Sequence, residues 1–432
     1  MTAGDGTRDP FDAFREDVDV RATERRTGAR TTGGVQGERS VAVVGGAMAG
    51  LAAAHAFSRL DWDVELYERQ AFDEKRVNCG EAMTDVTRIP LEKTPENGFA
   101  NDTPIFEVQV FTGDVDDREL AGAGRFPASR AYVTDRALVE RAWASRLRGD
   151  GVDVRENVGI SKADFAGLCE RHDLVVDATG QPSLASKIEG TTAEYAGAMT
   201  ALNADVEGDF SELYPDSRIV FENYLGYSWV FPKSETRANV GIGWAQDRQP
   251  ESYMAAFEAA CERNDWPVPT REQANVYTIP RGPSLDPERT WLPDRGVVRV
   301  GDAAGIANRF TGKGISQAIE SSYLAAAHAD AGALDAYPDA LYARLRDEYR
   351  LAYVVRGALE DGRPDILSGV MEAVSGIDVE DVDRNPRKAF ARLARHPVLV
   401  ANMLGSKPML QRAWRAWTND WEFRHLEDAS AR

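Results

Sequence analysis

Apolar positions fall into a regular order only from Ser40 onward. Residues 1–38 are rich in Arg, Asp, Thr and Gly and have almost no apolar period, which predicts a disordered leader. Val41 to Val44 then reads as a short buried strand, followed by GGAMAG, a helical stretch from Leu51 to Leu60 and a second strand from Val64 to Tyr67. Further on, strand-like runs alternate with turns: Phe106–Thr112, Ala196–Val206, Ser217–Phe221, Tyr227–Phe231 and Ala238–Trp244. Such a series predicts an antiparallel sheet set into or beside the first unit. Between these runs lie a helical pattern from Asp135 to Leu147 and an apolar strand from Leu174 to Val176. A buried strand at Val297–Val300 and a helix from about Gly314 to Ala331 follow, and beyond Leu334 the pattern is mostly helical.

The expected fold class is α/β with an α+β insert. A Rossmann-type dinucleotide-binding domain is assembled from residues 39–105, 131–195 and 291–332. Residues 106–130 and 196–290 supply an antiparallel-sheet substrate domain, and residues 333–432 a C-terminal helical region.

Charge changes this picture mainly by exclusion. The formal net charge is −19, with 70 acidic against 51 basic residues, so the basic face needed for general nucleic-acid binding is missing. Most of the basic residues are arginine, with only eight lysines. An acidic, lysine-poor composition points to a salt-rich cytoplasm, that of a halophile, against the plainer alternative of an acidic protein from an ordinary cell. Cys79, Cys169 and Cys261 form no metal-like or CxxC spacing, which suggests a reduced compartment. The N-terminus has no apolar signal core and no run reaches the length of a membrane span, so a cytoplasmic location is expected, soluble or peripheral on the inner face of the membrane. None of the five histidines falls in a motif, and no metal site is expected.

The chemistry concentrates in three places. Gly45-Gly46-Ala47-Met48-Ala49-Gly50 sits between a strand and a helix, as a dinucleotide fingerprint does. Gly45 and Gly50 occupy its first and third glycine positions, Ala47 replaces the second, and Glu68 ends the next strand, where it would accept ribose hydroxyls. Far along the chain, Arg299–Ser322 reads RVGDAAGIANRFTGKGISQAIESS, a buried strand, a glycine-bracketed turn and a long helix. The N-terminal dipole of that helix favours negative charge; taken alone, the segment is also an ordinary helix entrance with a turn-forming Asp302. The third place is YSWVFPKSETRANVGIGW, where Tyr227, Trp229 and Phe231 alternate along a strand and so share one face. Three such rings are usually core.

Together these features resemble the flavoprotein fold of p-hydroxybenzoate hydroxylase and, within it, the geranylgeranyl reductase family. The resemblance covers roughly residues 40–330. It rests on the fingerprint, on Asp177-Ala178-Thr179-Gly180 after a strand, and on GDAAG followed by TGKGI. It rests also on Tyr227-Ser-Trp229-Val-Phe231-Pro232 followed by Gly241-Ile-Gly243, on Asn78-Cys79-Gly80, and on Arg130 with Asp135. The resemblance implies FAD held by Gly45, Gly46, Ala47, Met48, Ala49, Gly50, Glu68, Arg69, Arg130, Val158, Asp177, Gly180, Gly301, Asp302, Gly312, Lys313, Gly314 and Ile315. It implies an isoprenoid chain against Tyr227, Trp229, Phe231 and Pro232, with Gly241 and Gly243 letting backbone and substrate approach the flavin ring. Cys79 and Gly80 become the catalytic candidates, although a free cysteine is as often a small buried hydrophobe. The chain departs from the family at Ala47, at Met48 and Arg309 where proline is usual, and at Lys313 where an acid is usual.

The implied reaction is hydride delivery from reduced FAD to an isoprenoid C=C bond. No second dinucleotide fingerprint is present, so electrons are expected from ferredoxin or from transiently bound NAD(P)H. Two other readings stay open: a monooxygenase or halogenase acting on an aromatic, with Lys75 as the lysine near the flavin, and a non-catalytic flavin- or lipid-binding protein. The segment KPMLQRAWRAWTNDW places Trp414, Trp417 and Trp421 on one helical face. That face is expected to pack on the core, with contact to lipid headgroups through Arg412 and Arg415 as the alternative.

Overall fold

The computed structural model describes residues 8–18, 20, 39–77, 79–114, 117–195, 198–222, 224, 226–245, 249–280, 282, 284–308 and 310–420. Asn78, Arg309, Trp421 and most of the leader lie outside the described residues.

The valine-rich run Ser40–Val44 becomes the centre of a six-stranded sheet. Asp63–Tyr67 and Leu174–Asp177 flank it in parallel, and Asp153–Arg155 and Val297–Arg299 extend it on either side, also in parallel. The short strand Trp291–Leu292 closes one edge as a hairpin. Parallel strands need both faces covered. The alanine-rich helix Met48–Ser58 is buried on nearly every side for that reason. The helix Ile315–Asp330 packs on it, and the Ser322 hydroxyl donates to the Ala49 carbonyl at 2.8 Å.

A second sheet has seven strands, in the order Asn275–Pro280, Ala198–Glu207, Arg237–Ala245, Gly226–Ser234, Ser217–Glu222, Ile105–Asp114 and Asp117–Pro127. It is antiparallel except where Ser217–Glu222 pairs in parallel with Ile105–Asp114. The outer strand Asp117–Pro127 is covered by the helix Pro364–Val374. A Cβ at Gly122 would lie 2.4 Å from Ser368 Oγ, and one at Gly124 2.7 Å from the Met371 carbonyl oxygen, so the two glycines let this helix seat directly on the sheet.

Two expectations are corrected. Residues within the leader form a helix, Pro10–Asp17, capped by Asp9. Phe11 and Phe14 bury their rings edge-on against Tyr323 at 5.2 and 5.5 Å, and Asp9 meets buried His55 at 3.1 Å. Two well-placed rings are enough to dock a single helix, and two residues do not make a visible period. The tryptophan face also departs from expectation: in the helix Lys407–Thr418, Trp414 is 68% and Trp417 73% exposed, and the helix packs through Met409 and Ala416 instead. Among the described residues no helix is long and apolar enough to cross a membrane.

Candidate functional site

One cavity of about 1540 Å³ runs from the glycine turn after the first strand to the C-terminal helices. Its first end is built from backbone. Gly45 holds φ +106°, and a Cβ there would stand 2.4 Å from the Ala178 carbonyl oxygen. At Gly50 a Cβ would lie 1.7 Å from Gly45 O, so the third glycine is required by the closeness of turn and helix. Ala47 has φ −86° and ψ −172°, which any residue adopts, so alanine stands in the fingerprint without strain. The helix behind the turn has no side-chain cap, which leaves its first amides for an anion. Gly45, Gly46, Ala47, Met48 and Ala49 line the cavity; Gly50 lies behind them.

Glu68 is buried at the end of the neighbouring strand and also lines the cavity. It accepts from the Gly46 amide at 2.9 Å and the Gln70 amide at 3.0 Å, which leaves carboxylate lone pairs for ribose hydroxyls. Lys75 stands over the same spot, bonded to the Gly46 carbonyl at 2.8 Å and paired with Glu140 at 2.8 Å and Glu68 at 3.2 Å. Arg69, Val158 and Gly180 line the same end. Asp177 does not: its carboxylate is buried and accepts from Thr179 and from the Ala185 amide, fixing the following loop and helix.

The late motif meets the early one. Gly301, at φ +59°, brings its turn so close that a Cβ would lie 2.7 Å from Ala49 Cβ. Asp302 lines the cavity, and burial raises its carboxyl above the ordinary range against the pull of Arg136. Gly312, Lys313, Gly314 and Ile315 line it too, and the helix Ile315–Asp330 presents another N-terminus without a side-chain cap. Lys313, which stands where the family has an acid, pairs at 3.1 Å with Glu380 from the C-terminal region. That carboxylate also takes Arg384 at 2.8 Å, so Lys313 is tied to the C-terminal helices. Two uncapped helix ends and a buried acid along one groove suit a dinucleotide carrying negative charge at its middle and at its ring.

The other end is built from side chains. Tyr227, Trp229 and Phe231 share one face of Gly226–Ser234 and line the cavity, with ring centroids 5.7 and 6.1 Å apart. Trp229 is fixed by the neighbouring strand: Nε1 donates to Asn239 at 3.0 Å. A Cβ at Gly241 would sit 2.1 Å from its ring. Gly241 therefore makes room for the indole and does not itself line the cavity; nor do Gly243 and Pro232, whose carbonyl accepts from Asn101 at 2.8 Å. Phe221 and Phe310 stack at 5.4 Å and extend the wall.

Cys79 and Gly80 lie where the two ends meet. A Cβ at Gly80 would touch Trp229 Nε1 at 3.1 Å, so this backbone passes closely over the indole. The next residue, Glu81, holds φ +65° and lines the cavity as well. The Thr134 amide donates to its backbone carbonyl and the Arg136 amide to its carboxylate, each at 3.0 Å, while the Glu81 amide reaches Cys79 Sγ at 3.2 Å. Buried Lys233 binds the Glu81 carboxylate and also reaches Asp135 and Asp205 at 2.7 Å. Burial raises the Glu81 pKa in spite of that ammonium.

Arg130 does not line the cavity. It is half-exposed and pairs with Asp85 at 3.5 Å. Arg136 does line it; burial opposes its charge, but Glu140 and Cys79 outweigh that and raise its pKa. Sequence reasoning missed Arg136, Glu81 and Lys233, although Lys233 directly follows Pro232 in the aromatic motif. It also missed the C-terminal lining, which includes Val370, Met371, Leu393 and Met409.

No family model matches the chain. It is 28% identical over 313 residues to digeranylgeranylglycerophospholipid reductase 2 of Methanothermobacter thermautotrophicus, covering 66% of this chain and 76% of that protein. With digeranylgeranylglycerophospholipid reductase of Methanocella arvoryzae it shares 24% over 408 residues, 86% of this chain and 100% of that one. Among solved structures, a geranylgeranyl bacteriochlorophyll reductase-like protein of Thermoplasma acidophilum superposes with a TM-score of 0.61 at 20% identity, over 85% of this chain and all of that one. A flavin-dependent halogenase superposes at 0.56 and 16% identity, over 89% of this chain and 78% of that one. The fold is thus that of the Rossmann-type flavoproteins, and the resemblance read from the motifs is borne out by the named relatives.

Proposed function

We propose that this chain, a relative of the geranylgeranyl reductases, is an FAD-dependent reductase that saturates C=C bonds in geranylgeranyl or other isoprenoid chains. One observation carries the reading: a single cavity joins the dinucleotide turn to a wall of aromatic and aliphatic side chains. An unactivated alkene offers no polar handle, so its hold must come from apolar area at about 25 cal/mol per Å². The buried rings Tyr227, Trp229, Phe231 and Phe221, with Phe310, shape one wall of that surface, and Val370, Met371, Leu393 and Met409 add to it. Glu68 and the amides after Gly46 would hold the adenosine and pyrophosphate of FAD, and the amides after Gly314 would lie at its ring. Bound there and reduced, the flavin supplies the hydride. Cys79 stands at the junction, with its sulfur held by the Glu81 amide, and is the residue we assign to proton delivery. Gly80 lets this backbone pass against Trp229 at the junction, where a Cβ would meet the indole. The electron donor is a ferredoxin or NAD(P)H, since only one dinucleotide turn is present in the sequence.

Lys75 does not favour the halogenase reading, because its ammonium is bound by Gly46, Glu68 and Glu140. The test is to reduce the FAD-loaded protein chemically, offer geranylgeranyl lipids and prenyl quinones, and follow the products by mass spectrometry. A gain of two mass units per saturated bond is expected; no gain with any prenyl substrate ends this reading.

A further inference from the structure

The C-terminal helices carry an exposed apolar surface at the mouth of the cavity. Of ten exposed large apolar side chains among the described residues, six lie on three consecutive helices, Pro386–Leu393, Pro397–Gly405 and Lys407–Thr418. They are Phe390, Val398, Leu404, Leu410, Trp414 and Trp417, between 45% and 74% exposed. Phe390, Leu404, Leu410 and Trp417 also line the cavity, so they form the rim of its opening. Trp417 is held there by Arg350, whose guanidinium lies 5.5 Å from the indole centroid and donates to the Trp417 carbonyl at 3.2 Å.

The charge on this surface is reversed from the rest of the protein. Residues 386–418 contain seven Lys or Arg and no Asp or Glu, in a chain of net charge −19. Arg412 and Lys388 are paired, with Glu360 and Asp361 and with Asp381. Arg387, Arg392, Arg395 and Lys407 are exposed, and no ion pair is formed by them among the described residues.

We infer that the three helices from 386 to 418 dock the protein on an anionic lipid bilayer and set the cavity rim at its headgroups. The inference rests on the reading of the cavity as a prenyl-chain site for what the rim admits. Tryptophan rings favour the boundary between headgroups and acyl chains, and arginine stems lie along apolar surface while their heads meet phosphate. A second copy of the chain is a poor occupant, since it would bring Arg387, Arg392, Arg395 and Lys407 against the same four charges. The strongly acidic remainder is repelled by the same membrane, so only this face turns toward it. A hydrocarbon chain leaving the bilayer then passes Trp417 and Leu404 into the cavity without crossing water.

The test uses flotation of the full-length flavin-loaded protein with two vesicle types, phosphatidylcholine alone and phosphatidylcholine with phosphatidylglycerol. Binding at least ~10-fold tighter to the phosphatidylglycerol vesicles is expected, and it should weaken as salt rises. Arg392→Gln with Arg395→Gln should cost about 25-fold, from about fivefold per charge. Trp414→Ser with Val398→Ser lies outside the cavity and should abolish flotation while melting temperature and flavin content stay as in the parent. Equal binding to both vesicles, or flotation unchanged in both variants, overturns the inference. So does a dimer by light scattering that Trp414→Ser returns to monomer. Flotation needs no turnover. Docking lost while detergent-dispersed prenyl lipid is still saturated removes the inference alone; docking kept without saturation removes only the functional reading.

Discussion

The two ends of the cavity are made of different material. At the turn end the walls are backbone, set by Gly45, Gly50 and Gly301, and each comes from a short run of consecutive residues. At the aromatic end the walls are side chains from strands between Ile105 and Pro280 and from helices beyond Tyr337, segments far apart in the chain. A backbone site fails when a turn is crowded. A side-chain wall fails piecemeal, one ring at a time. The comparison predicts that damage at one end should leave the other intact.

The largest break is expected at the turn. Gly50→Val places methyls where even a Cβ is 1.7 Å from Gly45 O, and both partners are backbone with no rotamer to give. The cost should be about 3 kcal/mol or more, with purified protein losing its flavin; a variant that keeps full flavin content would show that the turn does not hold it. Next is Lys233→Met. It leaves the carboxylates of Glu81, Asp135 and Asp205 facing one another around a buried position. Arg237 still pairs with Asp135 and lies near Asp205, which is partly exposed, so the carboxylate left without its cation is chiefly that of Glu81 and the cost should be about 2–3 kcal/mol. Thermal unfolding reads this directly, and a loss under about 1 kcal/mol would mean that the carboxylates simply take up protons.

At the wall, Trp229→Ala should leave flavin content unchanged and loosen the hold on prenyl substrate through the void it opens rather than through lost contact area, because Trp229 is only 2% exposed. The readout is KM for a prenyl substrate beside the flavin absorbance of the purified protein. If the variant does not fold, Trp229 belongs to the core. Gly241→Ala is the finer probe. It touches no cavity surface but pushes a methyl into the indole 2.1 Å away, so it should act on turnover only through Trp229.

Legibility divides along the same line. The turn end was readable because one glycine spacing between a strand and a helix states a backbone geometry, and the Rossmann-type sheet followed from it. The strand of Tyr227, Trp229 and Phe231 was readable as a face because alternation fixes direction. What that face meets was not, because an aromatic side chain looks the same in sequence whether it fills a core or lines a cavity. The role of Gly241 was misplaced for a related reason: its sequence does not say whether a ligand or a neighbouring indole fills the space of the missing side chain. Arg136 was passed over in favour of Arg130, six residues away, since spacing along an extended segment does not say which guanidinium turns inward. The C-terminal lining was unreadable because helical period marks a buried face and is silent about its partner.

The smallest effect tests where the two ends are tied together. Glu380 comes from the side-chain half and binds Lys313 in the backbone half, with Arg384 and Thr84 as its other partners. Burial opposes its charge, yet Lys313 and Arg384 outweigh burial and hold its pKa well below the ordinary value of 4.5. A carboxyl whose folded pKa is depressed contributes stability above its unfolded pKa and loses that contribution as pH falls toward the folded one. Wild type should therefore lose part of its stability below about pH 4.5, and Glu380→Gln should lack that part of the acid slope. Melting temperatures of both proteins from about pH 6 down to about pH 3 give the difference, with other acid-sensitive carboxylates cancelling. Parallel curves would mean that the Lys313–Glu380 pair adds nothing to the junction. The two halves of the cavity would then be tied at this point by other bonds, among them the one from the Tyr227 hydroxyl to the Thr311 carbonyl.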